Sequence, residues 1–175
     1  MVYDFKREPL RMQDADALFA ACRTQHEKLV IGGLLDTGMR ISELCNLMDK
    51  DIMFQERAIR VMGKGGPYGK MSKKRIIPMS ERVYTMFAHY FAVNHKWFIK
   101  KRGAQEMVKR VANRAKITQP VSPHVLRHTF ATMALQKGVS IAAVSRILGH
   151  DSLTTTQIYL NLTPAHIGEE FHRKW

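Results

Sequence analysis

The period of the apolar positions changes twice along the chain, dividing it into a helical stretch, an extended stretch and a longer helical stretch. The first part predicts a helix over Gln13–Arg23, with Asp14 and Asp16 in its opening turn. A second runs over His26–Leu35, where Leu29, Ile31, Leu34 and Leu35 are interrupted only by small residues, and Asp36-Thr37-Gly38 ends it. A short helix from about Ser42 to Met48 follows, with Leu44, Leu47 and Met48 on one face. Then the spacing becomes extended. Asp51–Phe54, Ala58–Met62 and Arg75–Pro78 read as strands separated by Gln55-Glu56-Arg57 and by the turn residues beginning Gly63-Lys64-Gly65-Gly66-Pro67. From Ser80 onward the helical period returns, over Ser80–Val93, Gly103–Ala115, Pro123–Lys137, Ser140–Leu148, Ser152–Leu160 and Pro164–Lys174. The predicted class is mainly α with a small three-stranded antiparallel sheet, an α+β fold.

Composition narrows this picture. With 175 residues, 45% of them apolar, the chain holds enough core for one domain and is too apolar for intrinsic disorder. It shows no repeat and no linker, so 1–175 is expected to be one unit, a core of about 10–160 followed by a tail at 161–175. Its longest apolar run, Leu29–Leu35, falls far short of the roughly 18 residues of a membrane span. The opening MVYDFKREPL lacks a leader pattern, and the two cysteines, Cys22 and Cys45, cannot build a disulfide framework or a four-ligand zinc site. A cytoplasmic setting is expected.

Charge adds a partner. Lys and Arg number 28 against 15 Asp and Glu, a formal charge of +13. The excess lies in separate clusters (Lys70, Lys73, Lys74 and Arg75; Lys96, Lys100, Lys101 and Arg102; Lys109, Arg110, Arg114 and Lys116) rather than along one amphipathic helix able to lie on lipid. Nucleic acid fits this distribution better than an anionic membrane surface or an acidic protein, with the first cluster the candidate contact.

The stretch Pro123-His124-Val125-Leu126-Arg127-His128 carries the strongest chemical signal. His124 and Arg127 share a face in the first turns of a helix, where backbone N–H groups and the helix dipole favour an anion. Leu148-Gly149-His150 closes a later helix, Tyr159 sits in the next, and Thr37-Gly38-Met39-Arg40 places another arginine ahead of a short helix. His124 and His128 have metal-ligand spacing, but no third ligand accompanies them. The Gly63-x-Gly65-Gly66 run lacks the spacing of a nucleotide loop. Neither metal nor ATP is implied, and no cofactor is expected.

These residues together resemble the catalytic domain of the tyrosine recombinases, the phage-type integrases and Xer-type recombinases. The resemblance rests on TGMRISEL at 37–44, HVLRHTFAT at 124–132, LGH at 148–150 and Tyr159, in that order and with the meander between the first two. It implies the recombinase catalytic-core fold, shared with DNA breaking and rejoining enzymes. It also implies a site of Arg40, Lys64, His124, Arg127, His150 and Tyr159, with Glu43 in support. Tyr159 would be the nucleophile, and His150 a third basic group beside the two arginines. The stretch Gly63–Lys74 is long for the family's hairpin, so Lys70 competes with Lys64 for the lysine role. The family's N-terminal DNA-clamp domain has no counterpart here, leaving open an excised domain or a natural minimal form.

The chemistry asks for the same residue types. Displacement at a phosphodiester gathers negative charge on the nonbridging oxygens, which planar guanidinium groups stabilise two at a time. A tyrosine with a pKa near 10 needs a base or a cationic pocket to lose its proton, which His124 can accept. The departing 5′ oxygen needs a proton, which a lysine among other cations can give. The resulting expectation is a site-specific recombinase or integrase forming a 3′-phosphotyrosyl link. The alternatives are topoisomerase IB-like relaxation and non-catalytic DNA binding. Self-association into a tetramer on paired sites, with an accessory DNA-binding domain or protein, is implied by the resemblance. The stripe Ile167, Phe171 and Trp175 in the tail is expected to dock either on its own domain or on a neighbouring protomer, and the resemblance favours the neighbour.

Overall fold

A computed structural model of the chain describes residues 8–63 and 74–150. The elements run α1 (Met12–Ala20), α2 (Gln25–Thr37), α3 (Ile41–Cys45), β1 (Ile52–Met53), β2 (Ala58–Met62), β3 (Lys74–Pro78), α4 (Glu81–Phe91), α5 (Lys101–Arg114), α6 (Pro123–Gln136) and α7 (Ile141–Leu148). The expected helices Ser152–Leu160 and Pro164–Lys174 lie outside the described residues. No described helix is long and apolar enough to cross a membrane.

Helix α2 is the centre of the packing. Thr24 caps it, accepting a hydrogen bond from the Glu27 amide at 3.1 Å. Leu29 through Leu35 are all buried, because α1, α3, α4, α5 and α6 pack around it. Its small residues admit those neighbours. A Cβ on Gly32 would stand 2.6 Å from Met86 Cε, and one on Gly33 would stand 3.1 Å from Leu44 Cδ1. The helix ends at Gly38, left-handed at φ 62°, whose amide donates to Leu34 O at 3.2 Å.

Two ion pairs lock the neighbours to α2. At its start Glu27, 3% exposed, accepts from Arg114 Nη1 and Nη2 of α5 at 2.8 and 3.1 Å and from the Arg23 amide at 2.7 Å. The Arg114 hydrogen bonds outweigh burial and hold the Glu27 carboxyl down at about 2. Arg114, expected in a surface cluster, is therefore a structural cation. At the far end of α2, Asp36 accepts from Arg82 and from Ser80 Oγ, and the Arg82 guanidinium lies 4.2 Å from the Phe19 ring centroid. An aromatic cluster of Phe87, Tyr90, Phe91, Trp97 and Phe98 extends the core behind α4. Cys22 and Cys45 belong to the packing too. Burial pushes both thiols up to about 11, where they are inert.

The sheet is an antiparallel meander in the order β1-β2-β3, with Ile52 opposite Ile59, Ile59 opposite Ile77 and Val61 opposite Arg75. Ile59, Val61 and Ile77 are buried, while Arg60, Met62, Lys74 and Ile76 face outward. Two expected boundaries move for tertiary reasons. Helix α3 stops at Cys45 instead of Met48, since Leu47 O accepts from the Trp97 amide at 3.0 Å and Met48 bridges Lys96. Met48 is consequently 42% exposed and not part of a helical apolar face. The first strand shrinks to Ile52–Met53 because Asp51 is taken up in a 3-10 turn and Phe54 opens the turn that follows.

Gly38→Ala should destabilise the fold by roughly 2–4 kcal/mol, combining left-handed strain with overpacking. The new Cβ would fall 2.3 Å from Phe130 Cδ1. A urea midpoint equal to that of the unchanged chain would contradict it. Acid should expose the role of Glu27. Its folded carboxyl titrates near 2 against an ordinary 4.5, so its stabilisation is complete above the ordinary range and is lost as pH falls toward 2. The Tm gap between the unchanged chain and Glu27→Gln should narrow from pH 7 to pH 3; a gap independent of pH would refute the assignment.

Candidate functional site

The site is assembled from the ends of helices. Arg40 stands at the N-cap of α3, two residues beyond the Gly38 turn. His124 and Arg127 lie in the first turns of α6, which Pro123 opens and Ser122 caps through its contact with the Val125 amide at 3.3 Å. His150 follows Gly149, the left-handed cap of α7 at φ 68°. Arg40, Glu43, His124 and Arg127 line one cleft of about 530 Å³.

Arg127 is 6% exposed, and its contacts fix the guanidinium in place. Nη1 donates to Gly38 O at 2.6 Å and Nη2 to Leu148 O at 2.7 Å. These carbonyls end α2 and α7, where the helix dipoles favour a cation. Nη2 also lies 3.3 Å from His150 Nε2. A guanidinium only donates, so Nε2 is the acceptor and the imidazole proton sits on Nδ1. Burial first, then the charges of Arg127, Arg40, His128 and Arg75, push His150 down to about 4. The residue expected as a third basic group is thus a neutral imidazole near pH 7.

Arg40 keeps 40% of its side chain exposed at the cleft while Nη1 donates to Glu43 Oε1 at 3.0 Å. The Arg40 amide donates to Glu43 Oε2 at 2.7 Å, so the carboxylate both starts α3 and holds the arginine. Burial raises the Glu43 carboxyl, but hydrogen bonds and charge from Arg75 and then Arg40 outweigh it and leave the group lowered. His124 is exposed and His128 half-buried on the same helix.

The expected DNA-contact cluster divides. Lys74 is exposed, at the outer end of β3. Arg75 is corrected: its side chain is 9% exposed, turned inward on the same strand face as Ile77, and its guanidinium is taken by Glu43 and by Ile147 O. The alternation along Lys74-Arg75-Ile76-Ile77-Pro78 already carries that signal, because Arg75 and Ile77 share a parity. Arg60 and Lys101 also line the cleft and were not singled out by any motif. Lys64, Lys70, Lys73 and Tyr159 lie outside the described residues.

Comparison with known proteins gives this geometry a family. The model of the phage integrase family matches residues 8–166. A tyrosine recombinase of Thermosipho africanus is 36% identical over 166 residues, covering 87% of this chain and 56% of the relative. Tyrosine recombinase XerA of Pyrococcus horikoshii is 34% identical over 161 residues, covering 84% of this chain and 54% of its own length. The chain thus spans about half the length of these curated relatives. Among solved structures, XerA recombinase superimposes with a TM-score of 0.81 at 31% identity, over 95% of this chain and 64% of the other. The Tn1549 transposon integrase in complex with circular intermediate DNA gives 0.73 at 27% identity, over 97% and 67%. With motif order, helix-end geometry and these matches in agreement, the chain belongs to the phage integrase family and carries the catalytic-core fold of the tyrosine recombinases.

Proposed function

We propose that this chain is the catalytic unit of a site-specific DNA recombinase that cuts and rejoins strands through a 3′-phosphotyrosyl link, with neither metal nor ATP. The observation that carries the reading is the convergence of Arg40, His124 and Arg127 on one cleft, with Arg127 held by two helix-terminal carbonyls. Four helix ends meet there, so the cationic groups are set before any phosphate arrives. Such preorganised charge is what stabilises a pentacoordinate phosphorane-like transition state.

In this reading Arg40 and Arg127 bond the nonbridging oxygens of the scissile phosphate, and Nδ1–H of neutral His150 supplies a further donor. Tyr159 Oη attacks phosphorus as its proton passes to His124. The bond from phosphorus to the 5′ oxygen breaks, and that oxygen takes a proton from Lys64, with Lys70 the alternative donor. A 5′-hydroxyl from a partner strand reverses the steps. The phosphotyrosyl ester retains the bond energy, so rejoining needs no nucleotide.

Duplex DNA is the proposed substrate. The formal charge of +13, the cationic cleft and the Tn1549 integrase, a relative seen with circular intermediate DNA, support it. Assembly into a tetramer on paired sites, through the 161–175 tail and with an accessory DNA-binding domain or protein, completes the proposal.

Tyr159→Phe keeps the ring and removes the nucleophile. With a nicked suicide duplex the unchanged chain should form a covalent adduct in the presence of EDTA, and the Phe variant should bind the duplex and form none. An adduct from the variant, or one abolished by EDTA and restored by magnesium, would overturn the mechanism. Arg40→Ala should cost about 2.7–4 kcal/mol of transition-state stabilisation, a cleavage rate lower by about 10²–10³, while duplex affinity changes little. A single-turnover rate within threefold of the unchanged chain would remove Arg40 from the site.

A further inference from the structure

The Arg40–Glu43 pair poses an electrostatic problem. A carboxylate 3.0 Å from a guanidinium that must attract a phosphate cancels much of its charge. Glu43 is nevertheless 7% exposed and bonded to Arg40 through both backbone and side chain. The resolution lies in a second guanidinium on the same carboxylate. Arg75 Nη1 donates to Glu43 Oε1 at 2.9 Å and Nη2 to Oε2 at 2.7 Å, a two-pronged contact from β3. Each Glu43 oxygen then accepts one bond from Arg40 and one from Arg75. Two guanidinium groups share one carboxylate, and the trio retains one net positive charge, on the side where Arg40 meets the cleft.

The same guanidinium reaches α7. Arg75 Nε donates to Ile147 O at 2.7 Å, three residues before His150. Its stem and guanidinium lie against Gly149, where an added Cβ would stand 3.0 Å from Cδ and 3.3 Å from both Nε and Nη1. Gly149 therefore serves two needs: it adopts the left-handed cap of α7 and leaves room for Arg75. One buried side chain thus joins the sheet, α3 and α7.

We propose that Arg75 is a positioning residue of the site, compensating the Glu43 carboxylate so that Arg40 presents a net positive charge to the cleft, and bracing the turn that carries His150. This rests on the strand-transfer reading above, and adds a residue that acts through Arg40 and His150 without touching the reacting phosphate. In Arg75→Gln the carboxylate keeps Arg40 as its one guanidinium partner of the trio and the trio's charge falls to zero. Removing the carboxylate as well restores it to one.

The test is a charge-balance cycle read by single-turnover adduct formation on the nicked duplex, with duplex affinity and thermal melting measured in parallel. Arg75→Gln should slow adduct formation by about 10- to 100-fold with affinity within about threefold. Glu43→Gln with Arg75→Gln should recover about tenfold of that loss, and Arg75→Lys, which keeps the charge but gives up the two-pronged contact and the Nε bond to Ile147 O, should stay within about tenfold of the unchanged chain. A merely structural brace predicts that the double variant is no faster than Arg75→Gln; that result overturns the proposal. Should Arg75→Gln fail to melt cooperatively, Arg75→Lys decides: a rate lower by more than about tenfold at intact affinity overturns it, and a rate within about tenfold supports it. If the unchanged chain forms no adduct, the strand-transfer reading itself fails. An adduct from the unchanged chain with an equally fast Arg75→Gln rejects the Arg75 role alone.

Discussion

The site depends on one buried cation. Arg127 sits where α2 and α7 end, and its guanidinium bonds the terminal carbonyl regions of both. A charge this deep is tolerated because carbonyl dipoles and the Nε2 lone pair of His150 replace water around it. The arrangement works in both directions. The helices hold the guanidinium where a phosphate can meet it, and the guanidinium holds the two helix ends at a fixed separation. Stability and chemical readiness are therefore the same set of hydrogen bonds, so a substitution of Arg127 is expected to disturb both.

The basic residues accordingly divide into two populations that composition cannot separate. Arg114, Arg82 and Arg75 are tied to carboxylates and join elements. Arg40, Arg60 and Lys101 line the cleft, and Arg127 does both, lining the cleft while bonding two helix-terminal carbonyls. A formal charge of +13 points to a polyanion, yet part of that charge is spent inside the protein. The buried pairs are costly to break once one partner is removed, since the remaining charge is stranded.

Much of the fold is legible in the sequence because local signals and tertiary packing agree. The apolar run of α2, the Gly38 stop and the Pro123 start all appear where turn chemistry and periodicity place them. The disagreements come from long-range pairing. Nothing local says that Leu47 and Met48 will abandon the helix to bond the strand-like segment at Lys96 and Trp97. At the candidate site, Arg40, His124 and Arg127 stand out in the motifs, and the fold brings them to one cleft. Arg75 is read differently because a basic run looks like a solvated surface, whereas strand parity, applied residue by residue, separates it from Lys74. The lowered pKa of His150 follows first from burial and then from three arginines and a second histidine, a setting that no sequence spacing expresses.

Glu43 shows why an acid belongs among so many cations. Without it, Arg40 and Arg75 would repel each other across a buried gap, and the amide that starts α3 would lose its acceptor. With it, two like charges are held close while their sum remains positive. The Glu43 carboxylate also lets β3 approach α3, and through Ile147 O the same contact draws in α7. An acid in a cationic site is thus the element that allows the cations to gather, and its cost in attraction for a phosphate is offset by the second arginine it recruits.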